Sequence, residues 1–510
     1  MRSNLFNKKF LFSILIFQNL FYFLITFINF NSTRGTDFNK YGKYFDYFYT
    51  LEYGQTGLES GISYYWFVTR FFNLLKEPLL YSENNLESIK SASVQMANLL
   101  LFLIGLLGIH FLLKKTQNFK IENTLPILII LSIFPPLIGA RMILKPEILV
   151  FCLLPWLLLF YFEYFNKKKS VYLLVSVPIV ATLFSLKASI TFILSLFLLI
   201  TFNKNIFDKK FLLYNLLSLI LFSLIINENF VLNGNYLWEH VAPESYSTKA
   251  KIEYIYNLSI NELWTNPYRD NLKNSMISIL LTDTFGDYWQ RYWFHYDGWG
   301  IKIEGNTKSK NFPGSLVVIK ISILLSVIFY SSSIYYLFKE KNKKLFYLGI
   351  SGFIGFLTLA ANAINLLSFF PKSFDVTKGD PMKTHLVSFL LAMTFVYLLI
   401  KLNIHKNLYR FAFTLIILNL FFVSMTNPLT LQDILNSQFY IDRLYSLIPC
   451  SLNSISITIN PLCTPSELIG STSNYFIPDI KGFIVSRVSL VSSFLVIAVY
   501  IFKNDNKNIF

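Results

Sequence analysis

The chain has 510 residues, 54% of them hydrophobic and only 15% charged, and its formal net charge is +16. A soluble globular chain carries about 25% charged residues, so this composition excludes an ordinary water-soluble domain and fits an all-α polytopic membrane protein. The basic excess does not indicate nucleic acid, because the lysines sit in small clusters between apolar runs rather than along a stripe with interleaved aromatics.

Read from the N-terminus, Arg2, Lys8 and Lys9 precede an apolar run from Leu11 to Phe30. No small-residue cleavage site ends that run, so it reads as an uncleaved first span. Further apolar runs predict spans at 94–113, 124–140, 148–165, 171–186, 188–203, 211–227, 316–338, 345–366, 385–401, 410–426 and 486–502. With 10–30, this gives about 12 transmembrane helices. The runs 171–186 and 188–203 are short and meet at Lys187, which fits a re-entrant hairpin or two tilted helices. Heavy use of Phe (53) and Tyr (31) matches the codon bias of an AT-rich, bacterial genome.

Every second connection carries a lysine cluster: Lys114, Lys115 and Lys120; Lys167, Lys168 and Lys169; Lys204, Lys209 and Lys210; Lys339, Lys341, Lys343 and Lys344; Lys401, Lys406 and Arg410. The positive-inside rule then puts these links and both termini in the cytoplasm. The long connections 31–93, 228–315 and 427–485 fall on the opposite side, with the shorter links 141–147 and 367–384. The chain therefore divides into an N-terminal transmembrane module (1–227), an extracytoplasmic segment (228–315) and a C-terminal transmembrane module (316–510).

The chemistry-bearing residues concentrate in the outer segments. The first loop holds Arg34-Gly-Thr-Asp37, Tyr41, Asp46 and Glu59, then Tyr64, Tyr65 and Trp66. An acid held at the membrane face by aromatic neighbours can serve as a general base; the plainer alternative is a solvated loop with an interfacial aromatic belt. The link Arg141-Met-Ile-Leu-Lys145-Pro-Glu147 runs against the usual lack of cations outside. Two cations there can hold a lipid phosphate, with Glu147 orienting one of them, or can simply anchor the surface as a snorkelling pair. Lys187 lies between apolar runs, either as a functional charge at membrane depth or as the cap of a tight turn.

The third outer segment contains Asp283, Asp287, Trp289 and Arg291, followed by His295 and Asp297. Aromatic walls with interspersed acids suit a sugar, and Asp283 and Asp287 at i,i+4 can share a helical face. A divalent metal there is a weaker option, because no further ligand stands at suitable spacing. Cys152 is a packing residue in an apolar run, while Cys450 and Cys463 in the last outer loop are candidates for a disulfide that orders it by about 3 kcal/mol. No HExxH, GxSxG, P-loop or GxGxxG context is present in the sequence.

One span, a large outer loop with an early acid (Asp37 with Tyr41), the Lys145-Pro-Glu147 entry to a span and Leu186-Lys187-Ala-Ser189 together resemble the GT-C glycosyltransferases that use polyprenyl-phosphate sugars, of the protein-mannosyltransferase and aminoarabinose-transferase type. Arg34-Gly-Thr-Asp37 with Glu59-Ser-Gly61 is also similar to the first loop of O-antigen and exopolysaccharide polymerases. The GT-C resemblance implies an enzyme of the bacterial inner membrane that moves a sugar to an extracytoplasmic glycan, lipid or protein. It implies Asp37 as the base, with Asp46 or Glu59 as a second acid, and Arg141, Lys145 and Lys187 on the lipid phosphate. Asp283, Asp287, Trp289 and Arg291 would then bind sugar or acceptor. A secondary transporter or flippase is the reading from another class, and a non-catalytic scaffold is a third.

Overall fold

The computed structural model describes residues 9, 11–16, 18–20, 62–79, 86–202, 207–233, 253–265, 267, 272, 275–286, 313–363 and 383–402. Among these residues the chain is helical, with no strand. The principal helices are α1 (Leu11–Leu20), α2 (Ile62–Leu79), α3 (Leu86–Gln117), α4 (Ile121–Leu131), α5 (Pro135–Met142), α6 (Glu147–Lys167), α7 (Ser170–Ser185), α8 (Ala188–Phe202), α9 (Lys209–Asn233), α10 (Met276–Asp283), α11 (Pro313–Lys339), α12 (Lys343–Ala363) and α13 (Ser388–Leu402). Six of the described helices are long and apolar enough to cross a membrane, or seven when the bent pair α4–α5 counts as one span. The helix α6, at 1.5 Å per residue, is about 31 Å long, which matches a bilayer core.

The predicted spans near 94–113, 148–165, 211–227, 316–338, 345–366 and 385–401 coincide with these long helices. The stretches 171–186 and 188–203 form two separate shorter helices, α7 and α8. Within 10–30 the described part is α1, and the predicted spans 410–426 and 486–502 lie outside the described residues.

Three stretches take a form that the hydropathy pattern alone did not show. The run 124–140 is not one straight helix: α4 and α5 are bent by 64° to each other. Pro135 and Pro136 stand at the start of α5 and supply no N–H to the turn before them, and Phe134, ahead of a proline, is extended. The loop assigned to 31–93 contains helix α2 and the start of α3. On α2, Tyr65, Val68 and Phe72 are buried at i, i+3 and i+7, so a helical period lay inside what read as an aromatic loop. The segment assigned to 228–315 begins with the end of α9 and contains the apolar helix α10.

The core is organised around α13. Of the stretch Thr384–Lys401, 94% is buried, against 17% of Lys209–Asn227 on α9. The first is therefore a central helix, and the second turns an apolar face outward. Helices α4, α5, α6, α11 and α12 surround α13. On α12, a Cβ at Gly352 would stand 2.9 Å from Thr394 Oγ1, so glycine lets the two backbones approach. Thr394 Oγ1 accepts from Gly352 N at 2.8 Å and donates to Gly349 O at 2.9 Å. Four rings fill the space left by the α4–α5 break. Phe134 stacks on Phe395 at 4.4 Å between centroids, and Phe285 and Phe329 meet both edge-on or tilted.

Charged residues sort to the two ends of this bundle. At one end, Lys115 and Lys167 meet Glu163, Lys168 pairs with Asp208 at 3.0 Å, Lys344 lies over Phe162, and Lys401 pairs with Glu340 at 2.6 Å. These contacts draw the lysine-bearing links together on one side, as the alternation in the sequence required.

Candidate functional site

The opposite end gathers α2, the first half of α3, the end of α5, the start of α6 and the α7–α8 break. Asn98 on α3 organises it. Its Oδ1 accepts from the Tyr64 hydroxyl at 2.8 Å, and its Nδ2 donates to Arg141 O at 2.8 Å and Ile143 O at 3.0 Å. Those carbonyls sit at the C-terminus of α5, where no further helical turn supplies donors. One buried amide thus ends the helix and fixes the 141–147 link against α3.

Arg141 is only 3% exposed. Its guanidinium donates to Asn19 Oδ1 at 3.0 Å and Asn19 O at 3.2 Å, and it lies 5.1 Å from the Phe102 ring centre. Asn19 Nδ2 in turn donates to Ser132 Oγ, at the α4–α5 break. Arg141 therefore points into the helix bundle toward α1. The neighbouring Gln18 is 2% exposed, and neither of its amide atoms has a hydrogen-bond partner. Leaving a buried amide unpaired costs about 1–3 kcal/mol.

Glu147 opens α6 and is fully buried. The positive end of a helix dipole favours a carboxylate there. Its Oε1 lies 3.4 Å from Lys187 Nζ, while its Oε2 accepts no hydrogen bond. Lys187 occupies the break between α7 and α8, with 21% of its side-chain surface exposed. The break is fastened locally: Thr191 Oγ1 donates to Phe184 O at 2.6 Å, and Ser185 Oγ meets Ser63 Oγ of α2 at 3.3 Å. Lys145 is also buried, on the same short link as Arg141. The three expected phosphate-binding cations thus belong to one end of the bundle, two on one link and one ion-paired to that link's glutamate.

Asp283 is buried at the end of α10. Its carboxylate accepts from Thr384 N at 2.9 Å and Thr384 Oγ1 at 2.7 Å, so it caps the 3-10 turn Thr384–Val387 that leads into α13. That turn packs against α5 and α6, which brings Asp283 to the same end as Arg141 and Glu147. The helical face expected to carry Asp283 and Asp287 together is not continued, because α10 ends at Asp283 and the chain bends through Thr284–Gly286. Asp37, Asp46, Glu59, Asp287, Trp289, Arg291, Cys450 and Cys463 lie outside the described residues. Cys152 is buried and free. Among the described residues, no three His, Cys, Asp or Glu side chains gather closely enough to hold a metal ion.

Sequence reasoning missed Gln18, Asn19 and Asn98. The signal was present in each case, as an amide interrupting an apolar run, and in Gln18–Asn19 as two in succession. Comparison with protein families, with curated proteins and with solved structures finds no match.

Proposed function

We propose that the protein is a membrane glycosyltransferase that moves a sugar from a polyprenyl-phosphate carrier to an acceptor outside the cytoplasm. The lysine-rich end faces the cytoplasm by the positive-inside rule, and the opposite end carries the chemistry. One observation supports the reading: Lys187, 40 residues further on, meets Glu147 of the link that also carries Arg141 and Lys145, so all four belong to that opposite end. Asp37, from the first outer loop, deprotonates the acceptor hydroxyl. The acceptor oxygen bonds to the anomeric carbon as the bond from that carbon to the phosphate oxygen breaks. The departing phosphate needs no acid, and the cations hold its charge. Burial of the lipid tail against apolar helices, at about 0.8 kcal/mol per methylene, favours a site at the membrane edge.

The test is transfer in proteoliposomes containing a polyprenyl-phosphate sugar and an acceptor. Asp37→Asn should abolish transfer while the protein remains folded and inserted; full transfer by that variant overturns the assignment.

A second reading, a secondary transporter, draws on two other observations. The α4–α5 pair is bent at a break, and a polar layer of Asn19, Ser132 and Arg141 lies beside it. Transporters place substrates at such interruptions. Uptake of a solute against its gradient by the reconstituted protein, with no sugar transfer, would select this reading.

A further inference from the structure

Between α9 and α10 lie two short helical turns, Glu253–Tyr256 and Ile260–Thr265. Tyr256, Ile260 and Trp264 recur there at every fourth residue and are 65%, 69% and 47% exposed. Tyr254 and Leu263 are buried and face the bundle, while Glu262 stands across the second turn from Ile260 and Trp264. The segment is fastened: the Ser275 hydroxyl at the start of α10 donates to Asn257 O. Trp264 shows where the apolar stripe stands. Its ring lies 5.0 Å from Lys320 Nζ, and Lys320 is in the first turn of the span Ile319–Lys339. Those 21 residues run about 31 Å, the thickness of a bilayer core. Lys339, at the far end, belongs to the lysine-rich links, so Lys320 and Trp264 stand at the opposite interface. Lys320 also heads the outward face of α11, on which Leu324, Val327, Ile334 and Phe338 are exposed at helical spacing from it. Trp264 therefore sits at the rim of a face that the span turns to lipid.

We propose that the 253–265 segment lies in the lipid–water interface of the leaflet opposite the lysine-rich links, with Tyr256, Ile260 and Trp264 inserted among its lipids. The stripe continues the lipid-facing surface of α11 and ends it with the residue types an interface selects. Tyr and Trp carry an apolar ring with one polar atom, so they settle between acyl chains and headgroups. Lys320 adds a cation at the level of the lipid phosphates and holds the Trp264 ring there. Glu262, across the turn, is left to water, which gives the segment the two-sided character of a helix lying flat on a membrane. A stretch that the hydropathy pattern placed in an extracytoplasmic segment is thereby a membrane-bound element. Through Ser275 it is tied to α10, whose last residue, Asp283, caps the turn leading into α13. The depth of the stripe in the leaflet thus sets the level at which this end of the bundle meets lipid. The proposal holds for a transferase and a transporter alike, and it stands or falls independently of sugar transfer.

The test reads the Trp264 ring in the full-length protein reconstituted in phosphatidylcholine vesicles. Subtracting the fluorescence of Trp264→Phe from that of the wild type isolates this ring from the other tryptophans, and Trp264→Tyr serves as the blank should the phenylalanine variant not fold. Phosphatidylcholine brominated near the glycerol end of its acyl chains should remove most of the difference signal. The same lipid brominated near the chain ends should remove less, and iodide in the water should remove little. Strong quenching by iodide with none by the brominated lipids puts the ring in water and overturns the proposal. Resistance to all quenchers means that protein covers the ring, whether a second copy or another part of this chain, and overturns it as well. Ile260→Asn places a polar group in the stripe without touching a buried residue, and it should raise iodide quenching of Trp264 and shift its emission to longer wavelength. An unchanged signal in that variant means that Trp264 is held by α11 alone and overturns insertion of the stripe.

Discussion

The two ends of the bundle treat charge differently. At the lysine-rich end each named acid meets a close cation: Glu163 meets Lys167 and Lys115, Asp208 meets Lys168, and Glu340 meets Lys401. Asp208 is satisfied further by the Tyr164 hydroxyl at 2.6 Å and the Phe211 amide at 3.1 Å. At the other end Glu147 is more deeply buried, and its contact with Lys187, at 3.4 Å, is longer than the Lys168–Asp208 and Lys401–Glu340 pairs. The exposed Lys168–Asp208 pair contributes about 0–1 kcal/mol. A buried carboxylate with a single long pairing costs stability. The contrast separates closely paired charges at one end from a deeply buried carboxylate with a longer contact at the other.

Two substitutions sharpen this comparison through stability. The larger effect is expected at the candidate site. Asn98→Ala removes donors from Arg141 O and Ile143 O and strands the Tyr64 hydroxyl. The loss should be about 2–3 kcal/mol, read from thermal or denaturant unfolding in detergent. A loss no greater than that of an exposed lysine substitution would mean the 141–147 link is held by other contacts.

The smaller effect lies at the lysine-rich end and depends on pH. The hydrogen bond from Tyr164, followed by the Phe211 amide and Lys168, holds the Asp208 carboxyl down at about 2, below its ordinary 3.8. A lowered carboxyl stabilises the fold above its unfolded value, and the contribution fades as pH falls toward 2. The wild type should therefore lose stability between pH 4 and 2 relative to Asp208→Asn, with melting temperatures converging at the acid limit, a window about two units wide set by that shift. Parallel pH profiles for the two proteins would contradict the assignment of the Tyr164–Asp208 contact.

Much of the bundle was legible because lysine clusters and apolar runs report directly on which links share a side. The alternation that grouped Lys115, Lys168 and Lys344 in the sequence is the grouping found around Glu163, Asp208 and Phe162. The break at Ser132–Phe134 was not read, although Pro135-Pro136 marked it, since hydropathy alone runs through it. Helix α2 was hidden because its buried residues are aromatic and sit among tyrosines that also suit a membrane interface. The central position of α13 was not legible at all: an apolar run looks alike whether lipid or protein covers it, and only the packing of α4, α5, α6, α11 and α12 distinguishes the two. At the site, the kinship of Arg141, Lys145, Glu147 and Lys187 was partly readable from their unusual placement. The amides that seat them were not, because Asn19 and Asn98 act through backbone carbonyls and partners 122 and 43 residues away in sequence.

The most direct measurement is to map where a photoreactive polyprenyl phosphate attaches to the reconstituted protein, by mass spectrometry of its peptides. The account predicts adducts on the 141–147 link and around Lys187–Thr191, lost when excess unlabelled polyprenyl phosphate is added. Adducts confined to the lysine-rich links at the opposite end, or none that competitor removes, would contradict it.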